Sequence, residues 1–138
     1  MSTHHGDTET RNSSGLLSES LTESIIGAAI EVHRHLGPGL LESVYEECMC
    51  DELRLRSVPF RCQIELPVVY KGPETGGKYR IDLVVADQVV VELKAVERLL
   101  SVHEAQLLTY LRFTGKRVGL LINFNVSVLH RGIMRRVL

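Results

Sequence analysis

This chain is poor in the features that announce most functions. It has almost no excess charge of either sign: 16 Lys and Arg stand against 17 Asp and Glu, a formal net of −1. Composition therefore does not point to a nucleic-acid partner, and any basic surface has to be local. No apolar run approaches the ~20 residues that span a bilayer. The polar opening, MSTHHGDTETRNSSG, has no signal-peptide core. Cys48, Cys50 and Cys62 are odd in number and no CxxC is present. That excludes a fully paired disulfide framework and favours reduced thiols in the cytoplasm. Cys48 and Cys50 with His33 and His35 give the spacings C-x-C and H-x-H, which are poor for zinc. There is no Walker loop, no GxGxxG and no Ser-His-Asp arrangement.

What is present fits one globular domain. The length is 138 residues, with 44% apolar and 24% charged residues, enough for a real core. Residues 1–16 are rich in Ser, Thr, Asn, Gly and His and are expected to be a disordered lead-in, followed by a single domain over 17–138. Leu21, Ile25, Ile26, Ala29, Ile30 and Val32 predict a helix over 18–36, capped by Ser20 or Thr22 and ended by Gly37, Pro38 and Gly39. Leu41, Val44, Tyr45, Cys48, Met49, Glu52 and Leu55 predict a second helix over 40–57.

Residues 63–70 read as a strand, with Pro67 arguing for an edge or a bulge, and 71–77 as a turn-rich loop. Residues 99–115 read as a helix capped by Ser101, with Glu104 three residues on and Gly115 as its stop. Residues 117–124 read as a strand covered on both faces. Residues 126–138 are expected to add one short element with a basic tip at Arg131, Arg135 and Arg136. The order α-α-β-β-β-α-β, with a helix between two strands, predicts a parallel crossover beside an antiparallel hairpin, hence a mixed sheet flanked by helices.

The most informative stretch is 79–94, YRIDLVVADQVVVELK. Glu92 and Lys94 are two apart on one run, so they face the same way on a strand. If Ala86, Asp87 and Gln88 form the hairpin loop, Val85 faces Val89 and Asp82 comes opposite Glu92. Two carboxylates and an ammonium then converge on an apolar sheet. Burying such charge is costly without a partner, and a metal ion or substrate supplies one. The bland alternative is a solvated strand face. Downstream, Gln106 and Tyr110 lie at i and i+4 on one helical face. Upstream, Gly39, Glu42 and Tyr45 spell G-x-x-E-x-x-Y at a helix start, where the dipole alone would favour Glu42.

The pattern D-x9-E-x-K resembles the core of the PD-(D/E)XK nuclease superfamily. With Gln106 and Tyr110 it is similar to RecB-type and lambda-type exonucleases, and with Gly39, Glu42 and Tyr45 it resembles the GxxExxY family. The likeness covers nearly all of 21–124. It departs at Asp82, which follows Tyr-Arg-Ile and not the nominal Pro.

The resemblance implies a restriction-endonuclease-like α/β core and a metal-dependent deoxyribonuclease, exonuclease-like, using Mg²⁺ or Mn²⁺. Glu42, Asp82, Glu92 and the Leu93 backbone carbonyl would bind metal. Lys94 would position or deprotonate water, or pair with developing charge. Gln106 and Tyr110 would hold the DNA backbone or the layout of the site, and Tyr45 would pack beneath it or touch substrate. A ring or other homo-oligomer would enclose DNA. Arg80, Arg98, Lys116, Arg117, Arg135 and Arg136 are candidates for phosphate contacts, with only some expected near the cleft. His103, one turn before Gln106, either faces the site or is simply exposed. The competing reading is a binding module on the same fold, gripping nucleic acid or a partner protein without turnover.

Overall fold

The computed structural model describes the backbone of residues 6–138 and the side chains from Glu19 onward. Three helices pack on a five-stranded mixed sheet, in the order α1 (Gly6–Leu36), α2 (Glu42–Leu55), β1 (Phe60–Val69), β2 (Glu74–Val85), β3 (Val89–Lys94), α3 (Ser101–Thr114), β4 (Val118–Asn123), a 3-10 turn (Leu129–Gly132) and β5 (Ile133–Val137). The strands lie in chain order across the sheet. All neighbours are antiparallel except β3 and β4, which α3 connects as a parallel crossover. No helix among the described residues is long and apolar enough to cross a membrane.

Two apolar layers sandwich the sheet. Ile25, Ala28, Ala29 and Val32 of α1 and Tyr45, Met49 and Leu53 of α2 cover one face, against Leu83, Val91, Leu93 and Leu120. Leu107, Tyr110 and Leu111 of α3 cover the other, against Val84, Val90 and Leu121. All of β4 is buried, as expected for a strand covered on both sides. Gly119 lets α3 approach it: a Cβ there would meet Leu107 Cδ1 at 2.8 Å.

Several expectations are corrected. The expected lead-in over 1–16 is not among them: residues 1–5 lie outside the described residues, and the backbone of 6–16 runs into α1. This stretch has no proline to interrupt the helical ladder, so neither Ser20 nor Thr22 stands at the start. The buried stripe of α2 is Tyr45, Met49 and Leu53, and Leu41 and Leu55 at its ends are exposed. The cap of α3 is Leu100, not Ser101: His103 Nδ1 accepts the Leu100 N–H at 3.0 Å. Gly115 ends α3 in the left-handed region, at φ 72°. The C-terminal element is a fifth strand, β5, paired to β4 from Val137 against Val118 to Ile133 against Ile122. Pro67 lies on an edge strand and beside a register shift. Strand β2 begins at Glu74, inside the expected loop, because Val69 still pairs with Glu74.

Candidate active site

The hairpin of β2 and β3 has the predicted register, with Val85 opposite Val89, Val84 opposite Val90 and Leu83 opposite Val91. Ala86 and Asp87 turn the chain at φ 51° and 56°. The ladder stops at Leu83 and Val91, and the site begins there. Asp82 does not simply continue the alternation. Leu83 and Val85 point into the α1–α2 layer, yet Ile81 packs in the α3 layer, so the pleat breaks at Asp82. The neighbouring strand breaks at the same level: β1 pairs Cys62 with Leu83 and Ile64 with Ile81, passing over Gln63, which has φ 52°.

Carboxylates replace the missing ladder bonds. The Asp82 N–H donates to Glu92 Oε2 at 2.8 Å, and the Leu93 N–H donates to Asp82 Oδ2 at 2.8 Å. The Leu93 carbonyl lies on the same strand edge as its N–H and so faces the same gap. Glu92 is only 3% exposed. Burial, and next the Asp82 carboxylate, push it up to about 8. Burial also raises Asp82.

The ExK strand sets Lys94 on the same face as Glu92. Lys94 Nζ donates to Gln106 Oε1 at 3.3 Å, so the ExK strand and α3 meet as the i, i+4 spacing suggests. A lysine can only donate, so the amide oxygen must face it, and the exposed amide NH₂ points elsewhere. Main-chain contacts hold Lys94 as well: the Phe124 N–H donates to its carbonyl at 2.9 Å. Buried Asn123 clamps the following residue but one, accepting the Val96 N–H at 3.0 Å and donating to the Val96 carbonyl at 2.9 Å. Nothing in the sequence reading marked Asn123. Its only signal was a polar side chain ending an apolar strand.

Glu42 starts α2, exposed at the rim of the site. Desolvation raises it, against Lys94, and the Ala95 amide donates to it. Glu46, one turn later, was not anticipated. It hydrogen-bonds Gln63 and reaches Asp82, and burial raises it too. A cleft of about 800 Å³ runs from Glu42 and Glu46 past Gln63 to Arg80 and Asp82. The spacing of Glu42 and Glu46, i and i+4, was the available sign that both face one way.

The two tyrosines sit deeper than a substrate contact requires. Tyr45 is fully buried, stacked on Phe124 with centroids 4.6 Å apart. Its hydroxyl donates to the Gly37 carbonyl at 2.6 Å and accepts the Leu40 N–H at 3.2 Å. It therefore packs beneath the site and ties the turn that launches α2, and its expected place among the substrate-binding residues is corrected. Tyr110 is also buried, edge-on to Tyr79 at 5.9 Å. Burial, then Glu92 and Asp82, push its phenol up to about 12, with the Arg80 backbone hydrogen-bonded to it. That position suits holding the layout of the site.

Of the basic candidates, Arg80 lines the cleft. Lys116 pairs with Asp87 at the hairpin tip at 2.9 Å, Arg117 Nε donates to the Leu138 carbonyl at 3.4 Å, and Arg136 pairs with Glu104. His103 caps α3 and does not face the carboxylates through its Nδ1.

Among the described residues no ion pair involves Glu42, Glu46, Asp82 or Glu92. Nor do three His, Cys, Asp or Glu side chains come close enough to share one metal. The donor set nonetheless suits a hard dication. Mg²⁺ is commonly held by one or two carboxylates and completes its shell with water, and here buried Glu92, half-buried Asp82 and a carbonyl share one gap. Glu42 stands outside that pair.

A family model described as the PD-(D/E)XK nuclease superfamily matches residues 19–137. Comparison with curated proteins finds no match, and comparison with solved structures finds none.

Proposed function

Since this chain belongs to the PD-(D/E)XK nuclease superfamily, we propose that it is a Mg²⁺- or Mn²⁺-dependent deoxyribonuclease of the GxxExxY branch, acting as an exonuclease. The observation that carries this reading is the meeting of Asp82 and Glu92 at the open end of the β2–β3 hairpin, with Lys94 two residues on and bonded to Gln106. Asp82, Glu92 and the Leu93 carbonyl would hold the ion, with Glu42 beside them. When bound, such an ion neutralises charge on the scissile phosphate and acidifies water.

The chain's own residues account for the rest. Lys94 has one bond to Gln106 and further ammonium protons to donate. It orients the attacking water, or as the neutral amine takes its proton, or stabilises the oxyanion that develops. Gln106 holds that ammonium with its carbonyl and offers its NH₂ to a phosphate oxygen of the strand. Arg80, exposed on the cleft wall, is placed to meet a second phosphate. Tyr110 and Tyr45 keep the two helices seated. Contacts of this kind read backbone and strand ends, not base sequence, and an exonuclease needs no more. A homo-oligomer enclosing the DNA would supply the grip that so small a domain lacks.

The test is incubation with end-labelled linear DNA and with circular DNA, in Mg²⁺ or Mn²⁺, beside Lys94→Ala. Loss of linear DNA alone, abolished by the substitution, is the expected result. Cutting of both forms would make the enzyme an endonuclease using the same residues. No cutting, across both metals and several end types, would favour the binding module. One observation favours that second reading: among the described residues no third His, Cys, Asp or Glu side chain joins Asp82 and Glu92 closely enough to share an ion. DNA binding indifferent to Asp82→Ala and to chelator would be its signature.

A further inference from the structure

The geometry points to an oxidation site of two cysteines at the seam between α2 and β1: a hydroperoxide oxidises Cys62, and Cys50 resolves it into an intramolecular disulfide. None of the residues assigned to DNA cleavage is needed for this.

Two independent contacts bracket the pair. On α2, Glu46, Cys50 and Arg54 follow one another at intervals of four and so share a face. On β1, Phe60, Cys62 and Gln63 lie in that order. Glu46 hydrogen-bonds Gln63, and the Arg54 guanidinium lies 5.2 Å from the centre of the Phe60 ring. Helix and strand are thus held together one turn before and one turn after Cys50, and Cys62 falls between the two holds. Cys62 is near enough to help raise the Cys50 thiol, after burial, and both cysteines are free. Cys48 looks elsewhere: it lines a separate cavity of about 200 Å³ with Val32, His35 and Leu36 of α1.

Exposure divides the roles. Cys62 is exposed on the edge strand, while Cys50 is 6% exposed. An oxidant in solution reaches Cys62, and only Cys50 is at hand to resolve the product. In the first step the Cys62 thiolate attacks the peroxide. An S–O bond forms, the O–O bond breaks, and the leaving oxygen departs as water or alcohol with a proton, leaving a sulfenic acid. In the second step Cys50 sulfur attacks Cys62 sulfur. The S–S bond forms, the S–O bond breaks, and hydroxide leaves as water with the Cys50 proton. Two thiols lose two electrons and one peroxide gains them. The new bond ties the helix that carries Glu42 and Glu46 to the strand that carries Gln63.

The test is treatment of the reduced full chain with hydrogen peroxide, followed by intact mass and non-reducing peptide mapping. The expected result is a monomer lighter by two hydrogens, with a Cys50–Cys62 peptide that dithiothreitol splits. Cys48→Ser should leave that product unchanged, and Cys62→Ser, a surface change that spares the fold, should abolish it. A disulfide through Cys48, a dimer linked through Cys62, a sulfinic acid at Cys62 beside an intact Cys50 thiol, or no reaction would each overturn the proposal.

Discussion

Asp82 and Glu92 are joined through the main chain: the Asp82 amide donates to Glu92, and the amide following Glu92 donates to Asp82, both at 2.8 Å. Each carboxylate thus spends one oxygen on the main chain of the partner strand. Like charges are brought together with no ion pair to either among the described residues, so the arrangement is held at an electrostatic cost that depends on pH and on metal.

That cost predicts how stability changes with pH. Glu92 stands at about 8 in the fold, displaced upward by burial and then by Asp82, against 4.5 when free. A raised carboxyl binds its proton more tightly in the folded chain. Its contribution is therefore complete below pH ~4.5 and lost as pH rises through ~8. For a shift of this size the loss is on the order of 3–5 kcal/mol. Asp82 is raised too, so it acts in the same direction. Thermal melts in chelator should fall in Tm from pH 5 to pH 8, and Glu92→Gln should flatten the slope. Mg²⁺ should raise Tm more at pH 8 than at pH 5, since it binds the deprotonated pair. A chelated wild-type chain with a level profile would refute this account.

Lys94→Ala should reduce cleavage by about 10²–10⁴-fold, the range of a lost proton-transfer group. Gln106→Ala should be milder. It frees the Lys94 ammonium and removes one phosphate donor, so KM should rise along with a partial fall in kcat. Single-turnover rates on linear DNA separate the two effects. Equal loss in both variants would mean that Gln106 does more than hold Lys94.

Tyr45→Phe keeps the ring stacked on Phe124 and deletes only the hydroxyl. It leaves the Gly37 carbonyl and the Leu40 N–H without their partner. A destabilisation of about 1–3 kcal/mol is expected. Because the loosened turn launches Glu42, metal affinity should weaken while the fold survives. Urea melts and Mn²⁺ titration check both; unchanged stability would show that water replaces the hydroxyl without cost.

Gly119→Ala forces a methyl against Leu107 Cδ1 at 2.8 Å and Cγ at 3.0 Å. The neighbour is a side chain with other rotamers available, so a loss of about 1–3 kcal/mol is expected. The strain falls on the α3 seat, and with it on Gln106. A paired Gly119→Ala, Leu107→Ala variant should recover part of the loss if that contact is the cause.

Much of the fold was legible because its signals are local. The hairpin loop at 86–88 separates two Val-rich runs, Gly115 stops α3, and the continuous apolar run of β4 reads as a strand covered twice. The short element expected over 126–138 could not be typed as a strand, because the burial of β5 alternates only weakly and its basic residues suggest surface. It is specified by antiparallel pairing with β4. Burial in α2 was misjudged at both ends for a related reason: Leu41 and Leu55 match the helical period but overrun the sheet they would pack on.

The order of Glu42, Asp82, Glu92, Lys94 and Gln106 along the chain was determined by the sequence alone, as was the spacing that sets Glu92 and Lys94 on one strand face. Periodicity is a property of neighbours a few residues apart, and a sequence displays those. Tertiary structure alone decided three things. Asp82 leaves the regular pleat where Gln63 turns left-handed on the adjoining strand. Glu46 comes to Asp82 because α2 lies along β1. Tyr45 and Tyr110 end up beneath the site and not in it. Each depends on which surfaces meet across the sheet, and contact between distant segments is settled by packing, not by period.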